Sequence, residues 1–137
     1  MTHPELTNFK EVHDTDFATF FLNELEDTLI TRYKESIDID LDIAKAIFKE
    51  SKPFKDGGSR YTIVDFSAKF ITITNEAKRH FKENISPHNT HIMSIIVENF
   101  AKKTIANIYA RFDKPRVPCR VFTNTFEAYE WIEENKL

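Results

Sequence analysis

Residues 64–81 read VDFSAKFITITNEAKRHF, and two threonines, Thr72 and Thr74, stand just before a run with helical spacing. A hydroxyl at that place has two chemical uses. It can accept a phosphate, which the free N–H groups and the dipole of a helix N-terminus would favour. It can also cap the helix by accepting a backbone N–H, worth about 1 kcal/mol over Ala. Thr72, Thr74, Asn75 and Glu76 therefore form the candidate switch or interaction site. Within it, Thr74 reads most simply as a cap, because Glu76 in the first turn would repel an added phosphate.

Other chemistry-bearing residues are scattered. His80, His88 and His91 follow the spacing H-x7-H-x2-H, which matches neither an i, i+4 helical pair nor a zinc signature. Cys119 opens a short strand after Pro118 with no general base nearby in sequence, so a buried, inert thiol is expected. Gly57-Gly58 follows a helix and precedes a strand, the reverse of a phosphate-binding loop, and reads as a helix C-terminal turn. Asp65 sits at a strand end, where ligands of open α/β sheets bind, but it lacks a second acid, a His or a metal partner close in sequence. No catalytic residue, cofactor or metal is expected.

These residues need a framework, and the composition supplies one. The chain has 137 residues, 41% of them hydrophobic, with thirteen Phe, which is enough apolar surface for one folded domain. A net charge of −3 gives no general attraction to nucleic acid, the apolar runs are too short for a membrane span, and the N-terminus lacks a signal-peptide pattern. With a single Cys, the expected setting is the cytoplasm. Charge is uneven: residues 1–42 carry eleven acidic and three basic side chains, while residues 99–120 carry six basic and one acidic. That asymmetry could pair two copies as a homodimer.

Along the chain, 16–25 and 28–34 read as a β-hairpin. Asp40 caps a helix carrying Leu41, Ala44, Ile47 and Phe48, which SKPFKDGGS (51–59) should end. YTIVDF (61–66) and HIMSIIVE (91–98) are continuous apolar strands of the kind buried on both faces, with a helix around Ala77 and Phe81 between them. Asn99 caps a third helix with Ala101, Ile105, Ile108, Tyr109 and Phe112 on its apolar face. CRVFT (119–123) is a strand, and Asn124 caps a last helix presenting Ala128, Trp131 and Ile132 to the core.

This order, together with YTIVDFS followed by ITNEAKRHF, IVENFAKKTIANIYARFDKPRVPCRVF and FTNTFEAYEWI, resembles the STAS or SpoIIAA-like class, the fold of anti-sigma-factor antagonists. Within it the chain is most similar to small uncharacterised bacterial STAS-like proteins. The resemblance implies a single α/β domain over 1–137, with a mixed, mostly parallel sheet, an N-terminal hairpin, about four helices, and residues 1–15 as an edge strand or loose arm. The antagonists carry a D-S-[ST]-G motif in which a serine or threonine at a helix N-terminus is phosphorylated; here the corresponding place is Ile73-Thr74-Asn75-Glu76, which lacks the acid and the Gly. The functional expectation is a non-enzymatic regulatory module that binds an unknown protein partner. The alternative, motivated by the many Phe, is a carrier or binder of a small apolar ligand.

Overall fold

A computed structural model describes residues 8–99, 101–102 and 116–136. Six strands form one sheet: β1 (Phe9–Asp14), β2 (Ala18–Asn23), β3 (Thr28–Tyr33), β5 (Tyr61–Phe66), β7 (Ile92–Val97) and β8 (Cys119–Phe122), in the spatial order β1-β2-β3-β5-β7-β8. The β1–β2 and β2–β3 pairs are antiparallel, and β3–β5, β5–β7 and β7–β8 are parallel. The expected hairpin is β2–β3, and the N-terminal segment supplies the edge strand β1. Two short strands that the sequence does not announce, β4 (Asp38–Ile39) and β6 (Thr72–Ile73), pair in parallel as a separate ribbon.

Helices α1 (Leu41–Asp56), α2 (Asn75–Asn84) and α3 (Thr125–Asn135) are the three found among the described residues. The expected third helix, from Asn99 to Phe112, lies largely outside them, as does most of the basic segment invoked for a homodimer; only its opening is seen, where the Lys102 N–H donates to Asn99 Oδ1 at 3.2 Å. Local capping chemistry sets the three helix starts. Asp40, Thr74 and Asn124 accept the backbone N–H of Ile43, Ala77 and Glu127 at 2.9, 3.1 and 2.8 Å.

Residues 51–59 end α1, as the sequence reading expects, and Gly57-Gly58 forms its C-terminal turn; the helix runs through Pro53 and closes at Asp56. Proline in the last turn removes one hydrogen bond. Against this, Phe54 packs on Phe20 with ring centroids 6.2 Å apart, and the Gly57 N–H closes the helix on Pro53 O at 3.1 Å. Gly58, at φ +112°, then turns the chain toward β5 in a conformation that side-chain-bearing residues rarely adopt. The last turn places Lys55 and Asp56 on the protein's second face.

Strand alternation divides the sheet into two unlike faces. Ile30, Tyr61, Ile63, Ile92, Ile96 and Phe122 face α3, where they are sealed by Ala128 and Ile132. The Ser94 hydroxyl donates to Ala128 O at 3.0 Å and ties α3 to β7. On the opposite face Phe20, Leu22, Leu29 and Tyr33 are buried beneath Ile39, Ala44, Ile47 and Ala77. Over β5 this second face is only partly closed: Val64 and Phe66 are half-buried, although their neighbours Ile63 and Asp65 are fully buried.

Candidate functional site

Among the described residues, a cavity of about 640 Å³ lies between the sheet and helices α1 and α2. Its floor is the outward row of three adjacent strands: Leu29, Thr31 and Tyr33 of β3, Thr62, Val64 and Phe66 of β5, and Met93, Ile95 and Val97 of β7. One wall is α1, with Ile47, Phe48, Ser51, Lys52 and Lys55. The other is α2, with Phe81, Lys82 and Ile85 just after it, joined by Ile71 and Ile73. Phe48 and Phe81 meet across the two helices at 5.7 Å. A volume of this size, mostly apolar with a few polar groups, suits a small organic ligand.

Polarity in the cavity runs along the strands. Val97, Phe66, Tyr33, Ile71 and Ile73 lie at the end where β5 and β7 finish. Thr62, Cys119, Asn89 and Thr90 lie where β5, β7 and β8 begin, and the C-terminal turn of α1 brings Lys55 there. The Lys55 ammonium donates to the Thr62 hydroxyl, and its own backbone carbonyl accepts from the Arg60 guanidinium. Burial, with a smaller contribution from the charge of Arg60, pushes the Lys55 amine from its ordinary 10.5 down to about 7. Burial also pushes the Cys119 thiol up to about 12, so it is held as the thiol and is a poor nucleophile.

The residues singled out in the sequence lie elsewhere. Thr74 turns its hydroxyl into its own helix as the cap, and exposed Thr72 donates to Asp38 Oδ1 at 2.6 Å across the β4–β6 ribbon. Asn75 and Glu76 are exposed on the first turn of α2. None of these four lines the cavity. Asp65, 1% exposed, points to the α3 face, where its carboxylate accepts from Arg32 Nε at 3.0 Å and from the Ser67 N–H and hydroxyl at 2.9 and 2.6 Å. Its oxygens are thereby committed to structure. Arg32 Nε is satisfied, Nη2 is buried with no hydrogen-bond partner among the described residues, and the guanidinium stands 5.2 Å from the Phe21 ring.

The histidines stay apart. His80 meets Phe48 edge-on at 5.4 Å, His91 meets Tyr61 at 5.7 Å, and His88 is exposed. No group of three His, Cys, Asp or Glu that could hold a metal occurs among the described residues, nor a helix long and apolar enough to cross a membrane. Sequence reasoning missed Lys55 and the floor residues Val64 and Ile95. One part of a signal was present: two strands apolar on both faces flank a mostly polar helix, NEAKRHFKEN.

A family model described as "Domain of unknown function (DUF7793)" matches residues 20–136. Among solved structures, the chain is similar to that of an uncharacterized DUF3478-family protein with a SpoIIAA-like fold from Shewanella loihica PV-4. The TM-score is 0.58 at 10% identity, over 90% of this chain and 90% of that chain. At that identity the likeness carries the fold alone, and the fold is SpoIIAA-like, as the sequence resemblance implied. No curated protein matches.

Proposed function

The chain belongs to the DUF7793 family of unknown function, and we propose that it works by holding a small, largely apolar ligand between its sheet and helices α1 and α2. The observation that carries this reading is the 640 Å³ cavity floored by Val64, Phe66, Met93, Ile95 and Val97. A strand face this apolar is stabilised by removal from water, at roughly 25 cal/mol per Å² covered, so a ligand that completes the cover gains the same free energy. The reading is of binding without catalysis, in a cytoplasmic protein. In support, the Asp65 carboxylate is occupied by Arg32 and Ser67, and the Cys119 thiol is protonated.

Native mass spectrometry of the purified full chain tests it. The expected spectrum contains either a retained non-protein mass or, after addition of dodecan-1-ol, a one-to-one adduct. A bare chain under both conditions would overturn the reading.

A second reading, a regulatory module for a protein partner, is favoured by Phe70. This residue is 74% exposed and is held at φ +62°, a left-handed conformation that bulky residues rarely adopt. It stands two residues before Thr72 at the entry to the β4–β6 ribbon, so the contact surface would be residues 70–80.

A further inference from the structure

The cavity's two ends differ in chemistry, and the difference specifies more than an apolar ligand. At the polar end Lys55 is a cation with no carboxylate partner among the described residues; its near neighbours are the Thr62 hydroxyl and a second cation, Arg60. The other cations of the lining are engaged elsewhere, Lys78 and Lys82 in interactions of their own. Lys52 is paired with Asp56 at 2.7 Å, Lys102 with Glu98 at 2.8 Å, and Arg116 donates to Glu83 O at 3.2 Å. A half-buried ammonium lacking a counter-charge is costly, and an anion beside it recovers that cost.

We propose that the cavity takes long-chain monocarboxylates, with the chain lying along the faces of β5 and β7 and the carboxylate against Lys55 Nζ and the Thr62 hydroxyl. This rests on the reading of the cavity as a ligand site and adds the ligand's headgroup class. The polarity gradient orients the molecule. A tail reaching toward Phe66 and Val97 meets carbon, while a head near Thr62 meets an ammonium, a hydroxyl and the polar side chains of Asn89 and Thr90. The head is a single negative charge. A phosphate monoester brings about two charges and three acceptor oxygens, and is normally held by an Arg fork or a cluster of backbone N–H groups. Lys55 offers one ammonium, and Asp56 in the same lining disfavours a dianion.

Isothermal titration of the full chain at pH 6.5 (below the Lys55 transition) compares dodecanoate with dodecan-1-ol, each below its aggregation limit. Dodecanoate is expected to bind about tenfold tighter, the value of one charge-assisted hydrogen bond. Lys55→Met is expected to weaken dodecanoate about tenfold and leave dodecan-1-ol within about twofold, while Lys55→Arg keeps the preference for the acid. The proposal fails if the parent protein binds the alcohol as tightly as the acid; the ligand-binding reading would still stand. It fails equally if Lys55→Met keeps the acid preference. Binding of neither compound would overturn both. Should Lys55→Met not fold, the parent comparison and Lys55→Arg decide the matter.

Discussion

Asp65→Ala is expected to lower the unfolding free energy by about 3 kcal/mol, and the midpoint of thermal unfolding by on the order of 10 °C. The reason is what the substitution leaves behind. Arg32 has its Nε on Asp65 and its Nη2 buried without a partner, so deleting the carboxylate strands a largely buried guanidinium. It also releases the Ser67 N–H and hydroxyl, which close the turn after β5. The double variant Asp65→Ala/Arg32→Met removes the stranded charge, and should cost less than the sum of its single changes. Urea titrations of the four proteins measure this. A single Asp65→Ala change within about 0.5 kcal/mol of the parent would show that the pair does not hold β3 to β5.

Lys55→Met is expected to act in the opposite direction, and only over part of the pH range. Lys55 ionises near 7 when folded, against 10.5 for the ordinary side chain. Below pH 7 the folded and unfolded chains both carry the proton, and the full cost of burying the charge is present. Between about pH 7 and 10.5 the unfolded chain binds more protons, so the parent's stability rises with pH relative to the variant's. The variant should thus be more stable than the parent at pH 6, by on the order of 1–3 kcal/mol after allowance for partial solvent screening and the lost Thr62 bond. That advantage should shrink steadily toward pH 10. Thermal melts of both proteins at matched pH decide it; a stability difference independent of pH would mean that Lys55 titrates normally.

The parts of the fold that were legible in the sequence are the local ones. Asp40, Thr74 and Asn124 announce their helices because a cap needs only its own first turn. YTIVDF and HIMSIIVE announce buried strands because a continuous apolar run has few other places to go. What escaped depends on distance. Arg32 and Asp65 are separated by 33 residues and meet only because β3 and β5 pair in parallel register. The ribbon β4–β6 is two residues long on each side, too short to carry a period.

The candidate site escaped for a different reason. The end of α1 within 51–59 is legible from Gly57-Gly58, but the contact of Phe54 with Phe20, which fixes how the last turn sits over the sheet, joins residues far apart in the chain. Lys55 belongs to that turn. At 72–76 the hydroxyls stand at a helix start, and there Thr74 performs the capping that its position suggests. The cavity brings together residues of three strands and two helices that are far apart in the chain, so no local pattern announces it.

Methyl-resolved NMR of the full chain during titration with dodecan-1-ol tests the central claim most directly. Both faces of the same strands carry methyl groups, so each strand supplies its own control. The account predicts shifts at Val64, Met93, Ile95 and Val97, which line the cavity, with Ile63, Ile96 and Ile132 unmoved beneath α3. Shifts confined to the α3 face, or none at saturating alcohol, would contradict it.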